Sequence, residues 1–174
     1  MSLTVETGAG VASAASFAAV ATADTYWSER AHTALATIWA AATTAQKEGA
    51  LREATDYLDA SFGQFYRGKR AGRVQGLEWP RSDALDDSGV PLPGLPSELV
   101  KATCELAARA LSGPLAEDQD RGGRVKRERV EGAIEVEYMD GAPSEKSFGI
   151  VAKMLAPILN GAQPGSAAPS WEWR

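Results

Sequence analysis

The stretch TTAQKEGALREATDYLDASFGQF, residues 43–65, decides the fold class. Thr43 followed three residues on by Gln46 reads as a capping box, with Thr44 a rival cap. Leu51, Ala54, Leu58, Phe62 and Phe65 then recur at steps of three and four, which draws one apolar stripe along a helix. Arg52, Glu53, Asp56 and Asp59 fall off that stripe and are expected to face water.

A second strong helix opens downstream at Pro96-Ser97. Val100, Cys104, Ala107 and Leu111 form its dry face, widened by Leu99, Thr103, Leu106 and Ala110. Glu98, Lys101, Glu105 and Arg109 make a wet stripe with helix-spaced pairs, and Gly113-Pro114 stops the helix. A third helix is expected from about Ser147 to Leu159, with Phe148, Val151, Leu155 and Ile158 inward. Pro157 lacks an N–H and should loosen its final turn.

Upstream, a helix is expected to begin near Thr22, with Tyr26 and Trp27 towards the core and Glu29 and Arg30 towards water. Ala34 to Ala42 reads as a second short helix or a buried connector around Leu35, Ile38 and Trp39. Residues 63–96 carry ten Gly and Pro residues (Gly63 and Pro96 included) and read as one long loop. Loops of that length inside a compact domain are uncommon and often functional. Embedded in it is Gln75-Gly76-Leu77-Glu78-Trp79-Pro80-Arg81, where Leu77 and Trp79 alternate as in an extended piece. A buried Trp79 that pins the loop to the core is favoured over an exposed ligand platform.

Beyond a linker over Leu115 to Gly123, the period changes to two. Ile134, Val136 and Tyr138 alternate with Glu135 and Glu137, and Val125 to Val130 would be the partner strand, turning at Glu131-Gly132. The expected fold class is therefore mainly α: a helical bundle with a small β-hairpin and extended N- and C-terminal arms. The expected boundaries are a flexible arm over 1–19, a helical domain over 20–160 with loop 63–96 and hairpin 124–138, and an extended tail over 161–174.

Bulk composition fits one globular domain: 174 residues, 44% hydrophobic and 24% charged. The net charge of −5 argues against a general nucleic-acid or membrane-surface binder, both of which use a positive footprint. The single cysteine, Cys104, excludes an intramolecular disulfide and a cysteine zinc cluster. The first ten residues hold Glu6 and no Lys or Arg, so no secretory leader is expected, and no run of about 18 apolar residues suggests a spanning helix.

No catalytic constellation is legible. His32 is the only histidine and reads as a helix-end surface residue, and Cys104 as a buried, inert thiol. Asp24, Asp56 and Asp59 read as caps and solvated faces rather than a carboxylate site. Neither a zinc-protease motif, a P-loop nor a dinucleotide fingerprint is present. The chain is expected to be no enzyme and to hold no cofactor or metal.

Two non-catalytic features stand out. Arg124, Lys126, Arg127 and Arg129, with Arg121, form a basic run that could contact phosphate. The favoured reading is a hairpin or subunit boundary on which Glu135 and Glu137 answer those charges. Trp171 and Trp173, beside Arg174, follow a Gly/Pro-rich stretch that cannot fold alone. At about 25 cal/mol/Å², two indoles burying about 150–250 Å² each contribute at most about 7–12 kcal/mol. Ordering the four residues Trp171-Glu172-Trp173-Arg174 costs about 4–8 kcal/mol. A short anchor on a tether is thus favourable, whereas a fully ordered tail is not.

The order of these features is similar to that of a known family. The residues that carry the likeness are Asp24 and Tyr26, then Ala54-Thr55-x-Tyr57-Leu58-Asp59, and above all Gln75-x-Leu77-x-Trp79-Pro80-Arg81. Pro96-x-x-Leu99-Val100-x-Ala102-x-x-Glu105-Leu106-Ala107 and a hairpin ending in Tyr138 follow. Over about residues 13 to 160 the chain resembles tailed-phage proteins labelled "putative DnaT-like single-stranded-DNA-binding protein", which look related to head-to-tail adaptors, the head-completion or connector proteins. The resemblance implies a structural virion protein at the head-tail neck, made in the host bacterial cytoplasm. It implies a dodecamer ring of about twelve copies beneath the portal protein, extending the channel for genomic double-stranded DNA and meeting a stopper or tail-terminator protein. Trp171, Trp173 and Arg174 would then anchor on the portal. The alternative is a replication-type single-stranded-DNA binder that uses Arg124, Lys126, Arg127 and Arg129.

Overall fold

The computed structural model describes residues 2–116, 128–130, 133–136 and 148–161, with the two stretches between 128 and 136 as backbone. In chain order the helices are α1 (Val20–Ser28), α2 (Ala34–Ala41), α3 (Thr44–Phe62), α4 (Ser97–Ala110) and α5 (Gly149–Leu155). Single 3-10 turns follow α3 (Gly63–Phe65) and α5 (Ala156–Ile158). Two short antiparallel pairs complete the described elements: β1 (Lys69–Arg70) with β2 (Arg81–Ser82), and β3 (Glu128–Val130) with β4 (Ala133–Val136). The protein is mainly α with a small hairpin.

Helix α3 starts where its sequence says. Thr43 Oγ1 accepts from the Gln46 N–H and Gln46 Oε1 accepts from the Thr43 N–H, a complete capping box. Leu51, Ala54, Leu58 and Phe62 are all buried, while Phe65 on the 3-10 turn is half-buried. Thr55 joins that face because its hydroxyl donates to the Leu51 carbonyl and so carries no unpaired polar atom inward.

Helix α4 is the central element and touches α1, α2, α3 and α5. Leu99, Ala102, Thr103, Cys104, Leu106, Ala107 and Ala108 are buried, an arc wide enough for several neighbours. The small side chains of Ala102, Cys104, Ala107 and Ala108 let those neighbours come close. The arc sits rotated from the expected face: Val100 and Leu111 are only half-buried, and Ala102 and Ala108 take inward places. On α5, Val151 and Leu155 are buried, and the helix tightens to 3-10 geometry at Ala156-Pro157, as a missing N–H requires. Leu115, expected in a linker, is 2% exposed, and its N–H donates to Glu53 Oε1.

The flexible arm expected over residues 1–19 is corrected by the structure. Phe17 and Ala18 lie in the core at 1% exposure, and the Phe17 N–H donates to Thr55 Oγ1 on α3. Val5 and Ser16 form a parallel bridge, with the Glu6 N–H on the Ser16 carbonyl. The segment is held by Glu6, itself 1% exposed. Its Oε1 accepts from the N–H groups of Thr7, Gly8 and Gly10, and its Oε2 from that of Val11, at 2.8–3.0 Å. A buried carboxylate is tolerable only with such full satisfaction.

The described chain forms one unit from Leu115 back to the start together with Phe148 onward, and a second from Ala116 to Ser147. In the second, Glu128 is in register with Val136 and Val130 with Ala133, with an irregularity between. Both strands fall within the stretch expected to form the hairpin, while the expected turn residues Glu131 and Gly132 lie outside the described residues.

The Glu6 cage gives a prediction. Gln offers one carbonyl oxygen and turns an NH₂ donor towards backbone N–H groups. Glu6→Gln should lower the unfolding free energy by about 3 kcal/mol, measured by urea denaturation.

Candidate functional site

Loop 63–96 has to satisfy its own backbone polar groups, because little regular structure does so for it. Two side chains carry much of that task. Gln75, 5% exposed, donates through Nε2 to the Leu77 and Pro80 carbonyls at 2.8 and 3.0 Å and accepts from the Gly72 N–H at 2.7 Å. Arg81 donates through Nε to the Arg67 carbonyl at 2.8 Å, through Nη2 to the Gly68 carbonyl at 3.0 Å, and pairs with Glu78 Oε2 at 3.0 Å. The planar guanidinium makes that three-way link possible.

Hydrophobic packing fixes the same segment. Trp79 is fully buried, follows Glu78, precedes Pro80 through a cis peptide bond, and meets Tyr66 edge-on at 5.9 Å. Leu77, two residues earlier, is also buried, at 7% exposure. The Glu78 N–H donates to Asp59 Oδ2 at 3.0 Å and fastens the loop to α3. On its other flank the Gly76 N–H donates to the Val11 carbonyl at 3.1 Å. A Cβ at Gly76 would lie 2.9 Å from both the Ala12 and Ala14 carbonyl oxygens, so only glycine permits that approach. Gln75, Leu77, Trp79, Pro80 and Arg81 are therefore a structural clasp.

The loop's two ends are also tied down. Tyr66 bridges Leu159, the Arg67 N–H donates to the Ile158 carbonyl, and the Asn160 N–H donates to the Phe65 carbonyl. Arg67 reaches the Leu159 and Leu85 carbonyls and pairs with Asp87. Residues 84–92 double back, with Asp86 Oδ1 accepting from the Ser88 and Val90 N–H groups. What the braced loop turns outward is distinctive. Val74, Leu85 and Val90 are exposed, and among the described residues only Ile150 joins them as an exposed large hydrophobic side chain.

Asp59, expected on a wet face, is corrected to a largely enclosed position. Its Oδ1 is buried without a hydrogen-bond partner. Burial, aided by nearby Glu78 and Asp56, pushes its carboxyl up to about 7 against the lowering effect of the Glu78 N–H. Asp24 is no free carboxylate either: it accepts from Trp39 Nε1 and Lys47 Nζ at 2.8 and 2.7 Å. Burial opposes its charge, but those two donors outweigh it and hold its pKa below the ordinary value. Asp56 is exposed, and no group of acids, His or Cys able to hold a metal occurs among the described residues. Cys104 is buried, and burial, with Glu105 nearby, pushes its thiol up to about 12. His32 is exposed on the turn before α2.

Arg124, Lys126, Arg127 and Glu137 lie outside the described residues, as do Trp171, Trp173 and Arg174. Arg129 falls on β3 and Glu135 on β4. A basic cluster that the sequence reading passed over is visible instead: Arg67, Lys69, Arg70 and Arg73, with no acid between them. Its signal was four positive charges in seven residues.

These features define a helical domain whose Gln75–Arg81 segment is a clasp and whose loop carries the exposed apolar and basic groups. Residues 1–170 match the family described as "Putative DnaT-like ssDNA binding protein", and the chain belongs to that family. Comparison with curated proteins and with solved structures gives no significant match.

Asp59 generates a pH prediction. Its folded pKa of about 7 lies above the ordinary 3.8, so the folded state holds the proton more tightly than the unfolded one. That contribution is full at low pH and is lost as pH rises towards 7. Asp59→Asn removes it, so the variant should gain stability relative to the parent between about pH 4 and pH 8. Urea unfolding of both proteins across that range checks this; a difference that does not change with pH contradicts it.

Proposed function

We propose that the protein is a structural adaptor of the phage head-tail neck, a copy in a ring that joins the portal to the tail or stopper and extends the DNA channel. The observation that supports this reading most is the character of loop 63–96. Its backbone is locked by Gln75 and Arg81, yet it presents Val74, Leu85 and Val90 to the outside. A rigid frame with outward aliphatic side chains suits repeated protein contacts between copies. The basic and acidic residues of the hairpin, Arg129 and Glu135 among them, would set register at the same boundaries. An overall charge of −5 suits a channel through which duplex DNA must slide.

The rival reading is a replication-type single-stranded-DNA binder, and the family description favours it. Such proteins stack bases on accessible aromatic rings. Here Trp27, Trp39, Trp79, Tyr66, Phe17 and Phe62 are buried, and every other described aromatic is half-buried. That distribution supports the adaptor over the rival. No helix among the described residues is long and apolar enough to cross a membrane.

In this reading Trp171 and Trp173 anchor each copy on the portal, with Arg174 beside them. Trp171→Ala together with Trp173→Ala should weaken capture by purified portal at least about tenfold while the thermal melt of the protein alone stays the same. Unchanged capture contradicts the anchor. Micromolar or tighter binding of a single-stranded oligonucleotide at near-physiological salt would favour the rival instead.

A further inference from the structure

Beyond the portal reading, and independent of it, we infer that the tip between β1 and β2, Lys69 to Val74, is a sequence-independent contact surface for the phosphate backbone of duplex DNA. Residues 67–76 hold Arg67, Lys69, Arg70 and Arg73 and no acid, on a chain whose net charge is −5. Lys69, Arg70 and Arg73 are all exposed. Among the described residues no carboxylate lies within ion-pair distance of Lys69 or Arg73. The acids that approach the cluster are already engaged. Asp87 pairs with Arg67, and Glu78 pairs with Arg81 at 3.0 Å and more loosely with Arg70 at 3.7 Å. Among the described residues, two cations without an acidic partner and a share of a third therefore remain for a partner.

The tip is presented rigidly. Lys69 is in register with Ser82 and Arg70 with Arg81, and the Ala71 N–H donates to the Pro80 carbonyl. Gln75 receives the Gly72 N–H, and Arg70 Nη2 donates to the Gln75 carbonyl at 2.7 Å. Gly68, at φ +73°, allows the chain to enter this narrow turn, since a Cβ there would lie 2.3 Å from the Ser82 carbonyl oxygen. Cations on a braced loop lose less freedom on binding than cations on a loose one. Gly72 adds no side chain to the tip.

Duplex DNA is the partner this chemistry fits. It carries about one charge per 1.7 Å of axis, a density that two or three close cations can exploit by counterion release. The tip has no aromatic ring for an unpaired base, since its apolar side chains, Ala71 and Val74, are both aliphatic.

The test uses the full chain and fluorescence anisotropy with a 30-base-pair duplex and with a single strand of equal length, at 20 to 200 mM salt. The expected result is binding of the duplex at least as tight as of the single strand, with a log–log salt slope of about −2 to −3. Lys69→Gln with Arg73→Gln should weaken duplex binding at least about tenfold at low salt and flatten the slope by about 2. Lys69→Arg with Arg73→Lys should retain binding, and matching circular dichroism and melting curves for all variants exclude misfolding. Four outcomes would overturn the inference: no duplex binding by the parent even at 20 mM salt; an unchanged affinity in the Gln pair; a clear preference for the single strand; or displacement of the duplex by polyglutamate as effectively, per charge, as by unlabelled duplex.

Discussion

The structure depends on how loop 63–96 pays its hydrogen-bond debts. A loop this long, packed against helices, strands many carbonyl and N–H groups away from water. Gln75 meets three of them and Arg81 three more, while Trp79 supplies the apolar contact that keeps the segment down. The Glu78 N–H on Asp59 then joins this clasp to α3, and the Gly76 N–H on Val11 joins it to the first segment of the chain. Remove the clasp and three regions far apart in sequence lose their common support.

Locking the backbone of a loop has a consequence for what its surface can do. Side chains that are not needed inside are held in fixed places outside. Lys69, Arg70, Arg73 and Val74 occupy one end of the loop, and Leu85 and Val90 project from its later turn. The buried aromatics, by contrast, are spent on cohesion. Trp27 donates to the Cys104 carbonyl and Trp39 to Asp24, so these rings bind helices together and are not available to stack on a base. A protein built this way is suited to meeting other surfaces repeatedly, as the proposed adaptor role requires.

Much of the fold was legible because helices write their burial in a short period. The stripe from Leu51 to Phe62, the Thr43–Gln46 box and the break at Pro157 all lie within one or two turns of their cause. The β3–β4 pairing was legible from the period-two pattern for the same local reason. What stayed hidden was non-local. The Gly/Ala/Ser-rich start looks unable to order itself, and nothing periodic reveals that Glu6 gathers four N–H groups. Asp59 sits off the apolar stripe of α3, yet the loop folds over it from 19 residues away. The Gln75–Arg81 motif was recognisable as distinctive, but its role as a clasp needed the carbonyls it holds. The basic tip is hard to read from sequence because its charges are interleaved with glycine and are less dense than the run after Gly123.

As proposed, this chain would be an assembly protein that completes a ring on a portal. Native mass measurement of the full chain, alone and mixed with purified portal, tests it most directly. The account predicts a discrete complex holding about twelve copies on each portal ring, matching the symmetry of its platform. A chain that shows no added mass on the portal at any ratio would contradict it.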